Sequence, residues 1–357
     1  MHGTWIGIGV LFALVGASSI ETEGDCAQAA AKSEEASLAG PEALMPGRCA
    51  DASVNPSTEP GVRAARFVVA DRDAGQLVVL DSDLLELARH SMPYALELEP
   101  RADGRLWSVS ASALGPLGPH FLRRIDLSGG VDVEVGIGPL FDLACADGDS
   151  ALLVVGRPDG QREALEVDST GAVRQLEVGP ALAAIAANGG RALVAGHDGW
   201  LRSHSLAPGA PMVISRQFGG VIADVAPGPL RMGFYVLDVA GPATQRRLAL
   251  VDEALNTVWV RPVGCGALHL CVSPDRRRVW LADGAARLAR RFGADGGLEI
   301  PFVALSAAGA ERGLARDDGG AVLVAPGALI RLAPDASALP GQGGFDFLVD
   351  VVALRPR

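Results

Sequence analysis

A short apolar run closing on a small or acidic residue recurs seven times in this chain. The runs are Phe67-Val-Val-Ala-Asp71, Leu106-Trp-Ser-Val-Ser110, Leu152-Leu-Val-Val-Gly156, Ala192-Leu-Val-Ala-Gly196, Phe234-Tyr-Val-Leu-Asp238, Val279-Trp-Leu-Ala-Asp283 and Val322-Leu-Val-Ala-Pro326. Their starts are spaced by 39, 46, 40, 42, 45 and 43 residues. A period near 42 is that of propeller blades and is too long for ankyrin or tetratricopeptide helices.

Each run is followed by a second strand-like segment that often ends on Asp, as in Leu77–Asp81, Leu122–Asp126, Ala164–Asp168 and Leu248–Asp252. A weaker third segment comes next, for example Val131–Val135, Val173–Val178 or Thr257–Arg261. A Pro or Gly then opens a fourth, as at Pro93, Pro139, Pro180, Gly220, Gly266, Gly309 and Gly344. Polar turns such as Asp147-Gly148, Asn188-Gly189 and Asp318-Gly319 separate the segments. With 45 Gly and 23 Pro in 357 residues, the chain exceeds the roughly 12% joint usage of ordinary proteins, as a turn-rich fold requires. No apolar stretch of helix length keeps a 3.6-residue period, so the expected class is all-β. Strands that read as continuous Val/Leu/Ala runs are buried on both faces, which radial packing of four-stranded sheets supplies.

The order "Pro or Gly, apolar strand, Asp-Gly turn, hydrophobic-Ala-Asp" resembles NHL and YVTN-type propeller repeats, the group that includes streptogramin-lyase-like proteins. It is clearest at Phe67–Asp81 and Pro274–Asp283 and weaker where Gly156, Gly196 and Pro326 replace the Asp. The resemblance implies that the segment opened by Pro or Gly is the innermost strand of a blade. Residues 66–92 then hold three strands without an inner one, and the apolar C-terminal stretch Phe345–Ala353 is expected to supply it. The expected fold is therefore a seven-bladed β-propeller of four-stranded antiparallel blades closed by the C-terminal strand, with six blades as the alternative.

Ahead of the repeats, Trp5–Ile20 is an uncharged apolar block, shorter than the ~20 residues a membrane-spanning helix needs, and small residues Gly16–Ser19 follow its core. Residues 1–20 are expected to be a secretory signal peptide. Residues 21–65 are Ala-, Glu- and Pro-rich and are expected to be a largely unstructured acidic linker, with Cys26 and Cys49 able to pair in an oxidising compartment. Residues 66–357 are the propeller. The expected location is secreted or periplasmic, in the cell envelope, without membrane insertion after signal cleavage.

The net charge of −11 argues against a nucleic-acid partner. Among the six histidines no HExxH or HxH cluster occurs, and the chain has no Gly-x-Ser-x-Gly elbow, P-loop or CxxC. Cys265 and Cys271 bracket the expected inner strand Gly266–Leu270, and extended chain would hold them too far apart to pair.

A site in such a fold is assembled from one residue per blade. Aligned inner strands place Glu97, Asp142, Asp224, His269 and Asp350 at similar positions, a donor set for a divalent cation such as Ca or Zn; no other cofactor is implied. A second candidate is the face carrying the loops that enter the inner strand and those between the second and third strands. It gathers Asp71, Arg72, Asp73, His90, Arg157, Asp159, His197, Asp198, Asp238 and Asp283. The first functional expectation is a monomeric binding or interaction module, with a protein or small ligand as partner and no chemistry of its own. The rival is a metal-assisted lyase or hydrolase with its site in the central funnel.

Overall fold

A computed structural model of the chain describes residues 66–354, apart from residues 102, 113–117, 147–148, 180, 208–211, 232, 240–245, 307–308, 311 and 317. The expectations for the signal segment, the acidic linker and the Cys26/Cys49 pair lie outside the described residues. Seven four-stranded antiparallel sheets make up the described residues, as seven blades. In blade 1 the order from the axis outward is Leu348–Ala353, Phe67–Asp71, Gln76–Leu80, Glu86–Ser91. The C-terminal strand thus completes the first blade: Ala353 pairs with Phe67, Val352 with Val68, Val351 with Val69 and Asp350 with Ala70. The ring has seven blades rather than six.

Burial follows from the radial arrangement. The second strand of each blade is covered on both faces, as in Phe67–Asp71, Leu106–Ala111 and Phe234–Asp238, where every residue is buried. Outermost strands such as Glu86–Ser91 and Val131–Ile137 have one neighbour only and alternate between exposed and half-buried. The buried apolar side chains form seven clusters, one at each contact between successive blades. The closing contact between blades 7 and 1 sets Leu314, Val322 and Val324 against Phe67, Val69, Leu348 and Val351. No blade shields its own faces; each is covered by the next.

Large side chains of the second strands also fix the spacing between blades. Trp107 and Trp280, both fully buried, donate Nε1–H to the turn carbonyls of Asp149 (2.9 Å) and Gly319 (3.1 Å) in the following blade. Tyr235 does the same through its hydroxyl to the Arg276 carbonyl at 3.0 Å.

Blade 6 departs from the expected pattern. Its inner strand is not Gly266–Leu270 but the two residues Cys271–Val272, paired with Trp280 and Val279. The preceding segment is instead tied down by buried Asp283, which accepts the Gly266 N–H. Cys265 and Cys271 are both buried, and neither they nor Cys145 form a disulfide.

Candidate functional site

The innermost strands share a local irregularity that builds the site. In blades 2, 3, 4 and 5 the ladder shifts register by one residue just before Glu97, Asp142, Ala184 and Asp224. In blade 1 the shift lies between Asp350, opposite Ala70, and Leu348, opposite Asp71. Such a bulge bends a strand and re-aims the next side chain. In blade 7 the equivalent ladder position, opposite Val324, is Arg312. In blade 6 the two-residue inner strand does not extend to this position, and His269, two residues before Cys271, stands at the corresponding place along the chain. One position per blade therefore carries Asp350, Glu97, Asp142, Ala184, Asp224, His269 and Arg312 in order around the axis. Six of these seven residues are ionisable, and those six line one cavity of about 700 Å³.

Three of the carboxylates also hold the ring together. Asp350 in blade 1 accepts the Leu98 N–H of blade 2 at 2.8 Å. Asp142 in blade 3 accepts the Ile185 N–H of blade 4 at 2.6 Å, and Asp224 in blade 5 accepts the Leu270 N–H of blade 6 at 2.7 Å. Glu97 has a longer side chain and pairs with Arg312, Nη1 to Oε1 at 3.0 Å. His269 Nδ1 lies 3.8 Å from Asp224 Oδ2.

Burial and mutual repulsion shape the charge of this tier. Desolvation, reinforced by Asp350 and Asp224 and opposed by Arg312, raises the Glu97 carboxyl to about 7. Burial, together with the charge of Glu97, holds Asp142 well above the usual carboxylate range, and burial also raises Asp350. Desolvation works against the Arg312 charge, but Glu97, Asp350, Asp142 and Asp224 outweigh it and keep the guanidinium ionised. Four acids around one guanidinium form a tier short of positive charge.

Three residues further along each inner strand comes a second ring: Pro100, Cys145, Ala187, Pro227, Val272, Ala315 and Ala353, all lining the cavity. This collar contains no charged side chain. Beyond it the cavity reaches the hairpin turns that join the first and second strands, where Asp149, Arg276, Arg316 and Asp318 mix both signs, while Arg66 lines it just ahead of Phe67 and Glu99 from within the inner strand of blade 2, between Glu97 and Pro100. Arg316 and Asp318 pair at 2.9 Å. Arg276 belongs to the run 276–278, which in sequence looks like solvated turn charge; here it reaches the cavity wall and donates to buried Asn188.

The cavity thus opens away from the loop face read from the sequence, and none of the ten residues of that face lines it. Asp71, Asp238 and Asp283 are buried. Asp71 accepts the N–H groups of Asp346 (3.1 Å) and Phe347 (2.9 Å), fastening the segment that leads into the C-terminal strand. Asp238 is bound by Arg247, and Asp283 also accepts the Ala286 N–H at 2.9 Å. The Asp of the hydrophobic-Ala-Asp motif is a clamp on the chain entering the inner strand. Arg72 pairs with Asp73 and Arg157 with Asp159, all in surface turns. His90 packs against Gly129, with Nε2 buried.

Adjacent His197 and Asp198 each meet a different arginine. His197 Nε2 meets Arg162 Nη1 at 2.9 Å, while Asp198 pairs with Arg202 at 2.8 Å. Burial and the Arg162 charge lower the His197 pKa and keep its ring neutral.

The sequence reading assembled five of the six ionisable members of the tier and missed Arg312. Its signal was the spacing: Arg312 lies three residues before the end of its inner strand at Ala315, as Glu97 lies three before Pro100. As for the cation set, no three His, Cys, Asp or Glu side chains among the described residues lie close enough together to hold one metal ion.

No family model matches this sequence, nor does any curated protein. Solved structures do resemble it. A protein of unknown function from Desulfotomaculum acetoxidans aligns with a TM-score of 0.65 at 12% identity, over 82% of this chain and all of the other (100%). Apo AztD from Citrobacter koseri aligns at 0.59 and 14% identity, over 82% and 98% of the two chains. Dihydro-heme d1 dehydrogenase NirN, in complex with DHE, aligns at 0.56 and 14% identity, over 83% and 77%. At these identities the likeness is one of β-propeller fold.

Proposed function

We propose that the protein is a binding module whose site is the central funnel, and that its ligand is a small molecule carrying positive charge. The observation that carries this reading is the tier itself: four carboxylates at equivalent positions of four inner strands, compensated by one guanidinium, at the inner end of a 700 Å³ cavity. Burying charge of one sign is costly unless it is matched. An arriving cation replaces the proton that burial favours on Glu97, and an enclosed pocket strengthens the attraction. The stitching of Asp350, Asp142 and Asp224 to neighbouring blades holds the acceptors rigid, so little ordering is needed on binding.

The reading includes the NHL/YVTN-type branch of the propellers, supported by the Asp71 and Asp283 motif, and a secreted or periplasmic location, supported by the apolar block Trp5–Ile20. A thermal-shift screen of the purified full chain against small amines tests it. Compounds that stabilise the protein are expected to lose their effect in the Glu97→Gln/Asp142→Asn double variant and keep it in Asp159→Asn on the loop face. Stabilisation that survives the double variant overturns the reading.

A metal-assisted enzyme is the second reading, favoured by His269 standing 3.8 Å from Asp224 within the tier. Metal analysis of the purified protein separates the two: a stoichiometric divalent ion, lost in His269→Ala, favours the enzyme.

A further inference from the structure

One arginine of the loop face lacks the acid that its counterpart in another blade keeps. In blade 5 the third strand opens on Arg247, opposite Asp238 at the end of the second, and the guanidinium binds that carboxylate through Nε (3.1 Å) and Nη2. In blade 3 the same ladder position sets Arg162 opposite Gly156, where the repeat has no Asp. The guanidinium stacks instead on Phe141, 3.5 Å from the ring centroid, and the ring itself is 43% exposed. Arg162 Nη1 donates to the Leu182 carbonyl (2.7 Å) and to His197 Nε2 (2.9 Å). Neither its Nε nor its Nη2 has a partner among the described residues, and no carboxylate among them pairs with it. Partial burial works against its charge with no acid to offset the cost.

A guanidinium only donates, so His197 Nε2 accepts and the ring proton sits on Nδ1. Beside His197, Arg202 spends Nη2 on Asp198 at 2.8 Å and keeps Nη1 buried without a partner. Two guanidiniums stand here with one acid, leaving a single positive charge in excess. We propose that this corner of the loop face, where blades 3 and 4 meet, binds the carboxylate of a small organic acid, with Arg162 holding it as Arg247 holds Asp238. An Arg fork accepts carboxylate and phosphate alike. The one excess charge is matched by a carboxylate and exceeded by a phosphate dianion. The exposed Phe141 ring covers the acid's carbon skeleton, worth about 25 cal/mol per Å² removed from water. None of Phe141, Arg162 and His197 lines the funnel cavity, so this site stands apart from the funnel reading.

The experiment titrates the full chain with sodium benzoate and with sodium phosphate, at fixed ionic strength and neutral pH. NMR follows the ring signals of His197, assigned through His197→Gln. Benzoate is expected to shift those signals saturably and to bind at least tenfold tighter than phosphate. Arg162→Met should weaken benzoate at least tenfold, whereas Arg157→Met, whose guanidinium already faces Asp159 in a surface turn, should leave it unchanged. Gly156→Asp, which restores the acid found in blade 5, should fill the fork from within and abolish binding. Its Cβ would stand 3.3 Å from the edge of the Phe141 ring, a side chain able to yield. Should that variant not fold, Arg162→Met decides alone. Benzoate binding that ignores Arg162→Met, or the absence of any saturable shift, overturns the site. Phosphate binding as tightly as benzoate overturns the carboxylate assignment.

Discussion

Arg312 and Glu97 meet at 3.0 Å across the mouth of blade 1, although they belong to blades 7 and 2 and stand 215 residues apart in the chain. The contact joins the two blades that flank blade 1, whose inner strand is the C-terminal Leu348–Ala353.

Removing the tether should open the ring. Deletion of residues 344–357 takes away the inner strand of blade 1 and with it Leu348, Val351 and Val352 from two interblade clusters. The truncated protein is expected to lose its cooperative thermal transition in calorimetry. The single change Leu348→Ala should cost about 2–4 kcal/mol.

The clamp at Asp71 should matter nearly as much as the strand it fastens. Its carboxylate serves the N–H groups of Asp346 and Phe347 from a buried position. Asp71→Ala leaves those groups unpaired and should cost about 2–4 kcal/mol by urea unfolding, with hydrogen exchange rising first at residues 346–350.

Stability should depend on pH in a direction opposite to that of most carboxylates. The Glu97 pKa is raised in the folded protein, from 4.5 to about 7, so the native state keeps a proton that the unfolded chain releases between those values. Folding is therefore favoured most below pH 4.5 as far as this group is concerned, and that contribution is lost as pH rises through 7. Asp142 and Asp350 shift in the same direction. Urea midpoints measured from pH 5 to 8 should fall for the wild type and fall less for Glu97→Gln. Arg312→Met, which strands the acids without their guanidinium, should steepen the decline.

The tryptophan anchors allow packing to be separated from hydrogen bonding. Trp280→Phe keeps the aromatic ring but loses the bond to the Gly319 carbonyl, and should cost about 1–2 kcal/mol beyond its change in buried area. Trp280→Ala removes both and should cost about 3–5 kcal/mol by the same unfolding measurement.

Period, strand order and clasp were legible because hydrophobic runs and turn residues act locally and repeat. Glu97, Asp142, Asp224, His269 and Asp350 were legible as a ring for the same reason. Arg312 was not: the sequence there reads Glu311-Arg312-Gly313, without the apolar lead-in that marks the other inner strands. Nor was the end at which the cavity opens, since that depends on bulges that re-aim side chains and leave no mark in composition. Asp71, Asp238 and Asp283 looked like surface ligands because they stand beside turns. Asp71 and Asp283 bind backbone N–H groups of segments leading to the inner strand and Asp238 binds the Arg247 side chain, partners that only the folded blades bring to them.

The most direct test is proton-linked binding of butylamine to the full chain, by calorimetry at pH 6 and pH 8. If the cation takes the place of the Glu97 proton, affinity should rise about tenfold between the two, with proton release visible as a buffer-dependent enthalpy, and both effects should vanish in Glu97→Gln. Equal affinity at both pH values, with no buffer dependence, would contradict the claim that the acidic tier is the binding site.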